Sequence, residues 1–221
     1  MRVVLSWSSG KDSAWTLYQL QRMNDVEVVG LLTTVNQEFK RVAMHAVREQ
    51  LLEMQAAAAQ LSLFKVSLPW PCSNDDYESR ITAAIQTLKD QYSITHIAFG
   101  DLFLEDIKQY RINLLQGSGI SPLFPIWQQD TAKLADKMIA SGLSAYLTCV
   151  DPKQLSAEFA GRRFDSALLS ELPAAVDRCG EKGEFHTFVN DGPMFTQSIP
   201  VQTGEIVHRD DFVFSDITLL Q

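Results

Sequence analysis

Apolar runs and helical stripes alternate along the chain and predict strands and helices in turn up to about residue 150. Arg2–Trp7 (RVVLSW) reads as a short buried strand, followed at once by small polar residues. Ser13–Met23 reads as a helix and Val26–Thr33 as a second, β-branched strand. Between Met44 and Leu61, the residues Val47, Leu51, Met54, Ala58 and Leu61 recur at three- and four-residue steps. That spacing makes one apolar stripe, as a core-facing helix requires. Phe64–Leu68 is a third strand, ended by Pro69 and Pro71. The cluster Ser73-Asn74-Asp75-Asp76 supplies N-cap residues for a helix with Tyr77, Ile81, Ala84, Leu88 and Tyr92 on one face. Ile94–Phe99 is a fourth strand and Leu104–Leu115 another helix. Ser121–Trp127 contains two prolines and reads as a short strand or extended loop. Lys133–Ser141 is helical, stopped by Gly142, and Leu143–Val150 is a fifth strand.

Beyond residue 150 the pattern changes. Asp165–Cys179 reads as a helix that stops and restarts at Pro173. From Glu184 the chain reads as two or three antiparallel strands. The predicted class is therefore α/β: a parallel five-stranded sheet with helices on both faces, plus a small C-terminal α+β region. The division expected is residues 1–150 for nucleotide binding and 151–221 for substrate. Ligands of such sheets bind beyond the carboxyl ends of the strands. That rule selects the loops Trp7–Ser13, Thr33–His45, Pro69–Asp76 and Gly100–Arg111.

Composition narrows the partners. The 221 residues carry a net charge of −8, with 19 Lys+Arg against 27 Asp+Glu. An acidic chain argues against broad binding to a phosphate backbone, so no nucleic-acid partner is expected. No apolar run reaches the ~18 residues that span a bilayer, and the first residues turn polar too soon for a signal peptide. The cytoplasm is the expected compartment, without a membrane partner, and a homo-oligomer is left open. Three scattered cysteines, Cys72, Cys149 and Cys179, make neither a disulfide framework nor a zinc ribbon.

The chemistry centres on Ser8-Ser9-Gly10-Lys11-Asp12-Ser13, between the first strand and the first helix. Small residues let backbone N–H groups approach an anion, and the helix N-terminus adds partial positive charge. Lys11 supplies a mobile cation and Ser13 a hydroxyl. It is not a Walker A loop, because Leu5 stands where the first glycine should be. An ordinary turn capped by Asp12 or Ser13 is the plain alternative.

The segment resembles the pyrophosphate loop of the ATP pyrophosphatases, SGG-x-DS, shared by GMP, NAD and argininosuccinate synthetases. Two further segments narrow the resemblance to the diphthine–ammonia ligase family. Gly100-Asp101-Leu102-Phe103-Leu104-Glu105-Asp106 with Tyr110-Arg111 is similar to that family's GDIFLEDLRKYRE. Cys179-Gly180-Glu181-Lys182-Gly183-Glu184-Phe185-His186-Thr187-Phe188-Val189 is similar to its CGENGEFHTFV, continued by Asp191–Phe195. Ser9 in place of glycine and Lys182 in place of asparagine depart from the pattern.

The resemblance implies a HUP-type, Rossmann-like sheet and a two-step amide synthesis. ATP activates a carboxylate as an acyl-adenylate, releasing pyrophosphate, and ammonia then displaces AMP. It implies ATP at Ser8 to Ser13 and at His45, with Mg²⁺ on Asp12 and Asp101. Lys11, Asp12, Asp101 and Glu184 become the catalytic candidates. Gly100, Glu105, Arg111, Glu184, His186 and Thr187 become the substrate-binding ones. Each has a plain alternative: Asp101 as an N-cap, Arg111 or His45 as surface residues, and Glu184 with His186 as a polar strand face. His96 is expected in the core and His208 at the surface. The carboxylate is left open between a small molecule, a corrinoid and a protein, and ammonia is expected free or from a partner. Two other functions stand beside this one: an adenine-nucleotide-binding module without catalysis, and a tRNA-modifying enzyme with the same loop.

Overall fold

The computed structural model describes residues 1–42 and 47–220. Five parallel strands build the first sheet: β1 (Arg2–Ser6), β2 (Glu27–Asn36), β4 (Ser62–Leu68), β5 (His96–Ala98) and β6 (Ser121–Leu123). Their order across the sheet is β4-β2-β1-β5-β6, and the short β3 (Arg41–Val42) adds an antiparallel hairpin to the end of β2. The helices are α1 (Lys11–Gln21), α2 (Glu49–Ala58), α3 (Asn74–Tyr92), α4 (Glu105–Leu115), α5 (Thr131–Ala140) and α6 (Ser166–Glu171).

Period-two alternation decides which helix packs where. On β1, Val3 and Leu5 join the core made with α1, α2 and α5, whereas Val4 joins Ile81, Ile85 and Leu88 of α3 on the opposite face. On β5, Ala98 faces the first core and Ile97 the second, joined there by Phe99 just past the strand. Both faces are thus covered, as the strand–helix alternation requires. Ser73 caps α3 as expected, its side chain accepting from the Asp76 N–H at 3.1 Å. Gly142, at φ +89, ends the loop after α5 where a left-handed residue is needed.

Two expectations are corrected. β7 (Ser144–Val150), expected as the fifth parallel strand, pairs antiparallel with β8 (Phe185–Asp191) and β10 (Phe212–Leu219). With β9 (Val201–Arg209) these form a second sheet, β8-β7-β10-β9, which begins ahead of residue 150. A strand buried on both faces reads alike in either kind of sheet, so LSAYLTCV carried no sign of its direction. The proline-bearing Ser121–Leu123 takes the fifth parallel place at the sheet's edge, where a missing N–H is tolerated. No helix restarts after Pro173: α6 ends at Glu171 and turns follow. Phe164, Leu168, Phe185, Phe188 and Val189 belong to the same core as Leu5, Leu17 and Leu52, so the second sheet packs on the α1–α2 side of the first. No described helix is long and apolar enough to cross a membrane.

Candidate functional site

In chain order the parallel strands lie 3-2-1-4-5, so the order reverses between β1 and β5. Connections leave those two strands in opposite directions and open a crevice at their carboxyl ends. The loop Trp7–Gly10 enters it from β1, and Phe99–Leu104 enters from β5. Gly100 sets their spacing: a Cβ there would stand 3.0–3.1 Å from the backbone of Asp12 and Ser13. Only glycine lets the two loops approach so closely without a shift.

The first loop turns through Ser9, at φ +71 and fully buried. Its carbonyl accepts from the N–H of Val189 on β8 at 3.0 Å and from Gln55 Nε2 on α2 at 3.0 Å. Helix α1 then starts at Lys11 with no side chain capping it. Its N-terminal partial charge is left for an anion. The Lys11 N–H is the exception, donating to Thr187 Oγ1 on β8 at 3.0 Å. Ser13 Oγ lies 3.2 Å from Ser8 Oγ and donates to the Gly10 carbonyl.

β8 and the loop before it therefore lie across the Trp7–Gly10 loop and close a cleft of about 440 Å³. One side is polar, with Ser8, Asp12, Ser13, Asp101, Arg111, Glu181 and His186. The other is apolar, with Leu32, Val42, Ile81, Ile97 and Phe99. Asp12 Oδ1 and Asp101 Oδ2 are buried and make no hydrogen bond. Burial pushes both carboxyls up, opposed by Lys11 at Asp12 and by Arg111 at Asp101. Arg111 Nε stands 3.6 Å from Asp101 Oδ2, an ion pair too long for a hydrogen bond, and its guanidinium lies over the Phe99 ring.

Glu181 is the residue that sequence reasoning passed over. Its Oε1 accepts from the N–H groups of Leu102 at 2.8 Å and Phe103 at 3.4 Å, tying the C-terminal loop to the loop after β5. Burial pushes its carboxyl up to about 7. The signal was present in the pair of glycines around it: Gly180 and Gly183 have positive φ, so this stretch is a turn and strand parity does not apply.

Ser8, Lys11, Asp12, Ser13, Gly100, Asp101, Arg111, His186 and Thr187 all line the cleft. Several do so in unforeseen roles. Lys11 is no mobile cation: it is 2% exposed, and its Nζ bonds Asp12 at 2.8 Å and the Cys179 carbonyl. It also sits over the rings of Phe185 and Phe164. Burial works against its charge, yet Asp12 beside it leaves its pKa raised. Ser9 and Gly10 stand behind the cleft as anchors and do not line it. Glu184 does not share a face with His186. It is 1% exposed, its two oxygens taken by the N–H groups of Asp177 and Lys182. Glu105 is exposed in the first turn of α4, outside the cleft. His45 lies outside the described residues. His96 is half-buried and bonded to Thr95, not in the core, and His208 is exposed as expected.

Comparison with known proteins finds two family models, one on each part of the chain. The model of the diphthamide synthase N-terminal domain matches residues 1–121, and that of the diphthamide synthase C-terminal domain matches residues 130–219. A zebrafish (Danio rerio) protein named diphthine–ammonia ligase is 27% identical over 244 residues, covering 100% of this chain and 94% of its own. The Homo sapiens protein of that name is 26% identical, covering 100% of this chain and 90% of its own. The one from Schizosaccharomyces pombe is 25% identical over 95% of this chain and only 37% of its own length. With both domain models matched in order and almost end to end, the chain belongs to the diphthamide synthase family.

Proposed function

We propose that this chain is an ATP-dependent ligase that joins ammonia to a substrate carboxylate through an acyl-adenylate. The observation that carries the reading is the cleft itself. An uncapped helix N-terminus, two hydrogen-bond-free carboxylate oxygens and a guanidinium converge there, walled by β8. The relatives' name, diphthine–ammonia ligase, supports the reaction class.

In the first step a carboxylate oxygen of the substrate attacks the α-phosphorus of ATP, and the bond to the β-phosphate breaks. Charge grows on the departing pyrophosphate, where the first-turn N–H groups of α1 beyond Lys11, the Ser8 hydroxyl and the Ser13 hydroxyl turned away from the Gly10 carbonyl supply donors. Arg111, released from its long pairing with Asp101, is placed to hold an oxyanion. In the second step the ammonia nitrogen bonds to the acyl carbon, AMP leaves, and the proton passes to a nearby base or to water. The wall of His186 on β8 and Glu181 in the turn before it faces that chemistry and orients the acceptor.

Asp12 Oδ1 and Asp101 Oδ2 fit Mg²⁺. No cluster of three ligating side chains occurs among the described residues, but Mg²⁺ takes one or two carboxylates and fills its shell with phosphate and water. Bound there, it would neutralise charge on the phosphates.

Among the described residues no cysteine lines the cleft. Burial pushes Cys149 up to about 12 and Cys179 higher still, so both remain thiols. That weighs against a sulfur-transfer role in tRNA modification. A non-catalytic nucleotide-binding module would bind ATP and leave it intact. Chromatography of labelled ATP decides: AMP and pyrophosphate formed on adding a carboxylate and ammonia are expected. ADP as the main product, or intact ATP across a carboxylate panel, would sink the proposal.

A further inference from the structure

We infer that Gln55, on α2 and outside every motif, is a positioning residue that locks the two walls of the cleft together through the carbonyl of Ser9. Its side chain is fully buried, with both amide protons and the amide oxygen engaged. Gln55 Oε1 accepts from Trp7 Nε1 at 2.9 Å; its Nε2 donates to the carbonyls of Ser9 at 3.0 Å and Val189 at 2.7 Å. The three partners lie on three segments: the exit of β1, the turn of the phosphate loop, and the strand that forms the opposite wall.

The geometry explains how a serine occupies the left-handed turn. A side chain at φ +71 is held there only where the surroundings determine the backbone. Two donors converge on the Ser9 carbonyl, the Val189 N–H and Gln55 Nε2, and prevent that peptide from rotating. The same amide fixes Val189, three residues from the cleft-lining His186. One side chain therefore sets both the entry of α1 and the position of β8. A glycine at residue 9 would adopt the turn unaided. Gln55 and Ser9 should accordingly be coupled energetically.

This inference rests on the reading of the cleft as an ATP site, so its test carries a readout without nucleotide. The variants are Gln55→Leu and Gln55→Asn, each alone and combined with Ser9→Gly in the intact chain. Asparagine keeps a polar amide but withdraws it by one methylene, which serves if leucine prevents folding. ATP affinity with Mg²⁺ is measured by calorimetry. Hydrogen exchange of residues 8–13 is measured with no nucleotide present. With Ser9 in place, ATP binding should weaken about tenfold, the loss of one to two buried hydrogen bonds. With glycine at 9 the loss should shrink to about twofold. Loop amides should exchange faster in the Gln55 variants while α3 is unchanged. Equal losses with serine and glycine, or loop exchange no faster than in the parent, would overturn the inference. If the parent chain itself fails to bind ATP, the ligase reading falls, and the exchange measurement alone then decides the role of Gln55.

Discussion

Glu181 shows how much can turn on one side chain. Its folded pKa of about 7 stands above the ordinary 4.5 because burial penalises the carboxylate more than two N–H donors favour it. The fold therefore prefers the protonated form. Its stabilising contribution is complete below 4.5 and is lost as pH rises through about 7. Glu181→Gln keeps an oxygen for the Leu102 N–H and cannot ionise. Urea stability of the variant should gain on the parent as pH rises across that interval; parallel curves would refute the assignment. Ser73 as a cap was legible because a cap is a local device, whose partner lies three residues away. Glu181, Gln55 and Lys11 were illegible in their true roles because their partners lie far along the chain. Even so, the fully buried Gln55 stands one helical turn after Leu51 on the stripe, and a lone amide there must find partners.

At the scale of elements, the turn from Asp177 to Glu184 is a small structure held by carboxylates. Asp177 Oδ1 takes the Cys179 N–H at 2.8 Å; Glu184 takes those of Asp177 and Lys182. Hydrogen bonds to a buried charge are worth about 1.5–3 kcal/mol each, so Glu184→Ala should destabilise the chain by about 3 kcal/mol. Chemical denaturation measures this, and a change under about 1 kcal/mol would refute the clamp. Periodicity gave helices α1 to α5 and both faces of the parallel sheet, since a helix stripe and a strand alternation are written in neighbouring residues. It could not direct β7, whose partners are β8 and β10. The prolines of β6 left a short strand and an extended loop open, and the strand forms at the sheet's edge, where few donors are needed.

Over the whole molecule, the site is shared between two sheets that own one core. Lys11 is the rivet: its ammonium joins Asp12 on one side and the Cys179 carbonyl on the other. Lys11→Met would leave the Asp12 carboxylate buried without its counter-charge, which costs about 3–5 kcal/mol. Heating should then show a lower midpoint in a single transition, because no boundary divides the core. A variant that melts like the parent would show that Lys11 serves the ligand and not the fold. The crossing of β8 over the phosphate loop also has a consequence in time. Lys11 and Thr187 are bonded across 176 residues. On the ribosome, the Trp7–Gly10 loop emerges early and must wait for nearly the whole chain before Ser9 and Lys11 find their anchors. A half-made chain therefore holds one wall of the cleft; the second arrives only when residues 187 and 189 have been made, and both anchors close together.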